Sequence, residues 1–150
     1  MATYTYETFK PFDPDFEKRV GGIFDAAPFV SELGFAPIVI QPGQVITELK
    51  AQKKHEQQNG FVHAGVLATL ADHTAGAAAA TLIFAHKIVL TAEFKINLLR
   101  PAKGEKVICE AFVLKNGKTL IVADSFVYTL TGQRKKLVAR ATVTLSVVSV

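Results

Sequence analysis

Cysteine is almost absent from this sequence: Cys109 is the only one in 150 residues. A single thiol cannot form a disulfide within the chain, which excludes a small disulfide-stabilised fold and favours a reducing compartment. The first residues, M-A-T-Y-T-Y-E, lack the basic region and the apolar run of a secretory signal. We therefore expect a cytoplasmic protein.

Patterns typical of metal and nucleic-acid sites are also missing. The four histidines do not have the spacing of metal ligands, so we expect no metal and no redox cofactor. The net charge of +4 is modest and suits an anionic ligand. No helix-turn-helix or zinc-finger pattern accompanies that charge, so we expect no nucleic-acid partner.

Long hydrophobic runs are limited to one segment, which begins at Ala64 and is rich in Ala, Leu and Val without a proline. These residues favour a helix. About 20 apolar residues would suffice for a membrane span, but Asp72 and His73 would then lie near the bilayer centre at considerable cost. We therefore expect a buried helix and no membrane partner.

Asp72 is the only carboxylate between Glu56 and Glu93. Apolar residues occupy every side of the predicted helix, so we expect the helix to be buried all round. An acid in such a helix is costly unless another group pairs with it or the protein uses it. Asp72 is therefore a candidate functional residue.

The chain length predicts one domain over residues 1–150, with a helical segment over residues 1–34 and no linker or repeat. Asp13 and Pro14 have the residue types of a helix N-cap and a first helical position. A further helical turn is expected to end at Gly34. Two-residue periodicity then predicts strands over residues 35–41, 44–52, 88–98, 105–115, 119–130 and 137–148.

Short turn sequences separate several of these strands, at Pro42-Gly43, Asn116-Gly117 and Thr131-Gly132. The order is thus helix, hairpin, long helix, and four strands in a meander. Tight turns imply an antiparallel sheet, and a sheet with one apolar face is expected to wrap around the long helix in an α+β fold. In the strand over 88–98, strict alternation places Thr91 on the polar face.

The loop and helix together resemble the signature of the PaaI-like acyl-CoA thioesterases, a family with the hotdog fold. That signature is close to N/Q-x-x-G-x-x-H-G-G-x-x-x-x-x-x-D. The matching positions here are Gln57, Gly60, His63, Ala64, Gly65 and Asp72. The segments P-F-V-S-E-L-G-F, L-L-R-P-A-K-G-E and L-K-N-G-K-T-L resemble the family as well. Ala64 departs from the usual Gly, and Gln57 occupies a position often held by Asn.

The resemblance implies an acyl-CoA thioesterase in which coenzyme A is part of the substrate. It also implies a homodimer with sites at the subunit boundary, often assembled further into a homotetramer. Small Ala-rich walls permit a medium-chain or aryl acyl group. Two rival interpretations remain: an acyl-CoA hydratase or dehydratase of the same fold, with His63 and Asp72 as its acid and base, and a non-catalytic acyl-CoA-binding protein.

Thioester hydrolysis needs a polarised carbonyl and an attacking group. The backbone N–H groups of Ala64 and Gly65 are expected to be unpaired at the helix N-terminus and to polarise the carbonyl. Asp72 is expected to act as general base or nucleophile. Because Asp72 lies eight residues beyond Ala64, a rise of about 12 Å, one carbonyl cannot contact both groups of one chain. We therefore predict that each site combines two subunits of a two-fold dimer.

Other candidates have a weaker basis. Thr91 matches a position where relatives carry Ser or Thr near the attacking water, and Gln57 is a candidate for holding that water or the thioester oxygen. His63 is a candidate helix cap, pocket residue or catalytic residue, whereas His73 is expected to serve packing or an interface. Candidate substrate-binding residues are Asn59 and Gly60 in the loop, and the basic Arg100, Lys118 and Arg134, which could hold the phosphates of coenzyme A.

Overall fold

The computed structural model describes residues 6–150. Residues 1–5, which hold the beginning of the predicted helical segment and most of the sequence considered for a secretory signal, lie outside the described residues. Three α-helices are present in the described chain: α1 (Phe16–Ala26), α2 (Pro28–Leu33) and α3 (Ala64–Ala80). A single 3₁₀ turn, Lys53–His55, precedes the loop before α3. None of the helices in residues 6–150 has the length and hydropathy that crossing a membrane requires.

Helix α1 begins later than predicted, because its N-cap is Asp15 and not Asp13. The Asp13 carboxylate instead accepts hydrogen bonds from the backbone N–H of Asp15 at 3.0 Å and from Nε of Arg19 at 2.7 Å. The Arg19 hydrogen bond is the main reason why the pKa of Asp13 lies below its ordinary value. The predicted end of α2 is confirmed: Gly34 is its C-cap, with a φ of +83° that favours glycine.

Six strands form one antiparallel sheet in the order β1-β2-β4-β5-β6-β3. Their bounds lie within a few residues of those predicted, and the three predicted turns join β1 to β2, β4 to β5, and β5 to β6. The strands are β1 (Phe35–Gln41), β2 (Gln44–Lys50), β3 (Lys87–Leu98), β4 (Lys106–Asn116), β5 (Leu120–Thr131) and β6 (Arg134–Ser149).

The predicted four-strand meander is wrong for β3, which pairs with β6 and not with β4. The connection over residues 99–105 is not a tight turn, since it runs across the end of the sheet. The backbone N–H groups of Leu99 and Arg100 donate to the carbonyl of Val138 at 2.8 and 3.2 Å, and Glu105 N–H donates to Leu130 at 2.8 Å. This crossing leaves β3 as an edge strand of the sheet.

Helix α3 packs on the inner face of the sheet, as the resemblance to the hotdog fold predicted. Buried polar contacts join the two layers: the hydroxyl of Ser125 on β5 donates to the Ala71 carbonyl at 2.7 Å, and the hydroxyls of Thr47 and Thr74 lie 2.8 Å apart. Because buried hydroxyls need partners, these contacts fix the rotation of α3 about its own axis. That rotation decides which face of α3 remains uncovered.

One face of α3 is not covered by the rest of the protomer. The prediction that the helix is buried all round is therefore wrong for a single protomer. The sheet covers only the opposite side of the helix, where residues such as Leu70 and Ala75 are fully buried. The incompletely buried residues recur every three or four positions, as one helix face requires. They are Ala64, Gly65, Ala68, Thr69, Asp72, His73 and Gly76.

Candidate active site

A cavity of about 370 Å³ lies beside the uncovered face of α3, and we call it the acid cavity. Its lining includes Asp72 and His73 of α3, Thr91 of β3, and Arg19 of α1. The Thr91 hydroxyl donates a hydrogen bond of 2.8 Å to Oδ1 of Asp72. The other carboxylate oxygen has no hydrogen-bond partner within the described residues. The structure therefore brings together two of the predicted catalytic residues and leaves one Asp72 oxygen available to a ligand.

A β-bulge between Thr91 and Glu93 explains how Thr91 reaches the helix. Thr91 lies opposite the fully buried Leu145 of β6, and directly opposed residues in an antiparallel pair share a face. Past the bulge, the extra residue reverses the alternation, so Phe94 also faces inward whereas Leu90 faces outward. The strict alternation predicted for this strand is therefore wrong, and Thr91 is on the helix side of the sheet.

His73 is held by aromatic packing, which confirms the prediction of a packing position. Its ring contacts Phe24 and Phe35 edge-on, with centroid distances of 4.8 and 5.8 Å. Burial lowers the pKa of His73, while the neighbouring Asp72 charge opposes that effect more weakly. Its Nε2 is buried without a hydrogen-bond partner in the described chain. The neutral ring is thus the form that this environment favours.

Arg19 lies at the other end of the acid cavity and is a lining residue that no sequence pattern indicated. Its Nη2 donates to the carbonyls of Ala80 and Ile83 at 3.0 and 3.2 Å, while its Nε pairs with Asp13. These carbonyls belong to the last turn of α3 and the segment after it, where helical partners are missing. The partners are 61 and 64 residues away in sequence, so no local pattern could indicate them.

A second cavity, of about 540 Å³, lies at the N-terminus of α3. We call it the donor cavity, and its lining includes Gln57, His63, Ala64, Leu99 and Arg100. Four of these were predicted site residues; Leu99 was not. Its location at a helix N-terminus combines backbone N–H donors with the positive end of the helix dipole. This cavity is therefore suited to a carbonyl or anionic group.

The N-terminus of α3 has fewer free donors than predicted. His63 is the N-cap, and its Nδ1 accepts a hydrogen bond of 2.8 Å from the Gly65 N–H. The expectation that the Gly65 N–H is unpaired is wrong, because the cap satisfies it. The Ala64 N–H has no such partner in the described chain. Since Nδ1 of His63 accepts, the proton of its neutral ring is on Nε2, which gives a second donor beside Ala64.

The loop residues before α3 divide into one cavity residue and two turn residues. Gln57 lines the donor cavity, and its side-chain oxygen accepts a short hydrogen bond from the Asn59 N–H. Gly60 donates to the Gln57 carbonyl at 3.0 Å and has a φ of +78°. Asn59 and Gly60 shape this turn and are not among the residues lining the donor cavity. The side-chain NH₂ of Gln57 remains as its free donor.

The three basic candidates are not in one place. Arg100 lines the donor cavity, and its Nη1 donates to the Leu137 carbonyl at 3.0 Å. Arg134 begins β6 near the same end of the sheet, whereas Lys118 lies in the turn at the opposite end of β5. A strand of that length spans about 40 Å. Within one protomer, only Arg100 is therefore part of the donor cavity.

The two cavities are also separated from each other. Asp72 and Thr91 lie in the acid cavity, while Ala64, His63 and Gln57 lie in the donor cavity. Ala64 and Asp72 belong to the same straight helix and are about 12 Å apart along its axis. Within one protomer, the predicted hydrogen-bond donors and the predicted acid therefore lie in separate cavities.

Comparison with known proteins gives a consistent set of similarities. The family model described as "Thioesterase superfamily" matches residues 59–136, which include both ends of the site. Acyl-coenzyme A thioesterase 13 of Homo sapiens is 37% identical over 82 residues, which are 53% of this chain and 56% of the human protein. The match thus spans little more than half of that relative's length.

Two longer matches extend the comparison over most of the chain. The 1,4-dihydroxy-2-naphthoyl-CoA hydrolase of Listeria monocytogenes is 27% identical over 115 residues, covering 77% of this chain and 91% of that enzyme. The crystal structure of a thioesterase family protein from Silicibacter pomeroyi superposes with a TM-score of 0.88 at 34% identity. That superposition covers 90% of this chain and 99% of the other.

Proposed function

Because this chain belongs to the thioesterase superfamily and has its hotdog fold, we propose that it hydrolyses a medium-chain or aryl acyl-CoA thioester to a free acid and CoA. The observation that carries this proposal is the hydrogen-bonded pair of Asp72 and Thr91 in the acid cavity, whose wall holds no other carboxylate among the described residues. The second oxygen of Asp72 lies on the incompletely buried face of α3 and has no hydrogen-bond partner within the described residues. Here one oxygen is left for the reacting groups.

The missing half of each site comes, in this proposal, from a second copy of the chain. Strand β3 is an edge of the sheet, so its outer backbone groups are unpaired, and it carries exposed apolar side chains. These are Ile88, Leu90, Phe94 and Leu98, followed by Leu99. A two-fold axis that pairs β3 with its copy would cover this strand and the open face of α3 together. Further assembly into a dimer of dimers uses other surfaces.

In the resulting site, the thioester carbonyl accepts hydrogen bonds from the Ala64 N–H and from Nε2–H of His63 on one protomer. Asp72 of the partner, oriented by Thr91, lies on the other side of that carbonyl. Donors placed where negative charge develops stabilise the tetrahedral intermediate. Arg100, at the mouth of the donor cavity, is the residue best placed to bind a phosphate of CoA.

The reaction forms one C–O bond and breaks the C–S bond. If Asp72 acts as general base, it takes a proton from water as the water oxygen attacks the carbonyl, and that proton then goes to the departing thiolate. If Asp72 is the nucleophile, its oxygen first forms an acyl anhydride that water then cleaves. In a single turnover in heavy-oxygen water, label in the Asp72 carboxylate would establish the nucleophilic route with water attacking the Asp72 carbonyl of the anhydride, because general-base catalysis places the label only in the released acid.

The test of the proposal is the loss of turnover when Asp72 is changed. Asp72→Asn and Asp72→Ala should bind acyl-CoA normally and lower kcat by about a thousandfold, the size expected for removal of a general base. The exposed helical residue Asp25 provides a matched control, because Asp25→Asn should retain full activity. Wild-type rates in both Asp72 variants, measured by thiol release, would contradict the proposal.

The two rival functions predict different products. A hydratase would convert enoyl-CoA without releasing thiol, and a binding protein would show saturable binding without any product. Within one chain His63 and Asp72 lie in different cavities, but the proposed composite site would bring His63 of one protomer close to Asp72 of its partner. A hydratase could use that same pair as acid and base, so the products decide between the two functions. Incubation with enoyl-CoA and 3-hydroxyacyl-CoA, with product identification by mass spectrometry, separates the three outcomes.

A further inference from the structure

We propose that Gly76 and Arg19 set the maximum length of the acyl chain, at about ten carbons for a saturated chain in the acid cavity. This inference rests on the proposed function, because it assumes that Asp72 and Thr91 mark the position of the thioester. It concerns the remainder of the same cavity, which continues along α3 beyond the reacting atoms.

The wall of the acid cavity beyond Asp72 is apolar and made of small side chains. Gly76 and Ala80 follow Asp72 at intervals of four residues, so they share its face of α3. Ile23 of α1 and Ile83, just after α3, also line this part of the cavity, and Lys87 is the charged lining residue contributed by β3. An acyl chain that leaves the thioester along this wall therefore meets hydrocarbon on both sides, and its burial is favourable.

Gly76 keeps the passage open. A Cβ built on Gly76 would lie 3.7 Å from Cδ2 of Leu145, an ordinary contact distance, so the protein itself tolerates a side chain there. Because Gly76 lines the cavity, a larger side chain would occupy space in it. The absence of a side chain at this position is therefore a property of the cavity and is not required by the packing of α3.

Arg19 closes the far end of the cavity. Its guanidinium is held by Asp13 and by the carbonyls of Ala80 and Ile83, at 2.7, 3.0 and 3.2 Å respectively. A longer chain could pass only by displacing Arg19. That movement would break a charged pair and leave two carbonyls without this donor, which is costly away from water.

The length of the passage follows from helix geometry. Asp72 and Ala80 are eight residues apart, which is about 12 Å along α3. A saturated chain advances about 1.25 Å per carbon, given C–C bonds of about 1.5 Å and near-tetrahedral angles. The passage therefore holds about ten carbons before the chain reaches the Arg19 guanidinium. An aryl group of similar length also satisfies this limit.

The experiment compares kcat/KM for hexanoyl-, decanoyl- and tetradecanoyl-CoA in the full-length protein. The wild type should process decanoyl-CoA at least about tenfold better than tetradecanoyl-CoA, a ratio that even one misplaced methylene can produce. Gly76→Val should lower the decanoyl-to-hexanoyl ratio by about tenfold or more. Gly22→Val is the matched control, since Gly22 is a helical glycine with open space around it, and its ratio should not change.

Arg19→Leu supplies an independent test at the other end, where it should raise the tetradecanoyl-to-decanoyl ratio. Thiol release with unchanged ratios in both Gly76→Val and Arg19→Leu would overturn the length limit and leave the proposed hydrolysis intact. If the protein bound the three acyl-CoAs without turnover, and their affinities changed among the variants as predicted for kcat/KM, the result would support the length limit and overturn the proposed hydrolysis. Absence of both binding and turnover for all three compounds in the wild type would overturn both.

Discussion

The two cavities on α3 differ in what they offer a substrate. The donor cavity, at the start of the helix, has polar groups that donate hydrogen bonds: the Ala64 N–H, the His63 ring and Arg100. The acid cavity, at the middle of the helix, has one carboxylate and otherwise mainly apolar walls. In the proposed mechanism neither cavity is sufficient alone, because the donor cavity lacks an attacking group and the acid cavity lacks carbonyl donors. One protomer can thus contain every residue that the proposal requires and still not contain a complete site.

The sharpest test of the composite site uses mixed dimers, in which one chain has an inactivated donor cavity and the other chain has an inactivated acid cavity. Ala64→Pro replaces the N–H hydrogen with a ring carbon, and proline is well tolerated at the first helical position. The preceding residue, His63, already has the extended backbone (ψ 139°) that proline requires. Ala64→Pro and Asp72→Asn homodimers should each lose activity by at least a hundredfold. Refolding the two variants together should restore about a quarter of wild-type activity, from the one intact site in each mixed dimer.

The control for that experiment is Ala64→Ser, which keeps the N–H and should be active. If the complete site were within one protomer, both chains in the mixture would be inactive and no activity would return. Mass spectrometry of the intact dimers confirms that mixing has occurred, so an inactive mixture would contradict the composite site directly.

The next largest effect is expected at β3, the edge strand whose pairing with its copy would bring the acid cavity of one protomer to the donor cavity of the other. Leu90 on β3 is 54% exposed, and Leu90→Glu should place charges at the proposed contact, producing monomers and at least a tenfold loss of activity. Ile38 on β1 is a matched control, because it is 56% exposed near the opposite edge. Ile38→Glu should leave the assembly unchanged in sedimentation velocity. An active Leu90→Glu monomer would refute the composite site.

A smaller effect is expected when the orientation of Asp72 is altered. Thr91→Val removes the 2.8 Å hydrogen bond to Asp72 without changing the shape of the side chain greatly. Loss of one such bond should lower kcat by about tenfold. Thr91→Ser should recover most of the rate, and Thr144→Val, on the neighbouring strand β6, should have no effect. Equal rates for Thr91→Val and wild type would assign this hydroxyl a purely structural role.

The smallest effect concerns stability and the buried ring of His73. Because burial lowers its pKa, the unfolded chain takes up a proton that folded His73 does not as the pH falls below 6.5. The free energy of unfolding should therefore decrease over that range, and His73→Gln should reduce the slope. Urea denaturation at several pH values measures this slope. An unchanged slope in His73→Gln would contradict the assignment.

Much of the fold could be predicted from the sequence because the signals are local. Two-residue periodicity located the strands, and Asn116-Gly117 located a hairpin, since these depend on neighbouring residues. Asp72 was identifiable as the single carboxylate of an apolar helix. Its proximity to Thr91 was implied only by the family resemblance, because the structure achieves that proximity through a bulge, which periodicity did not indicate.

The features that were not predicted depend on contacts that are distant in sequence or on a side chain's choice of partner. The position of β3 beside β6 follows from how residues 99–105 cross the sheet. The anchoring of Arg19 to two carbonyls involves α1 and the end of α3. The His63–Gly65 hydrogen bond is local, but whether a histidine caps a helix or lines a pocket depends on its rotamer. These three features decide the shape of both cavities.

The stiffness of α3 has a consequence for how two sites in one dimer would work. In the proposed arrangement, each helix supplies its tip to one site and its acid to the other. An α-helix transmits a small axial displacement along its length, because its hydrogen-bonded turns resist compression. In that arrangement, any change that displaces one α3 along its axis would therefore alter both sites of the dimer.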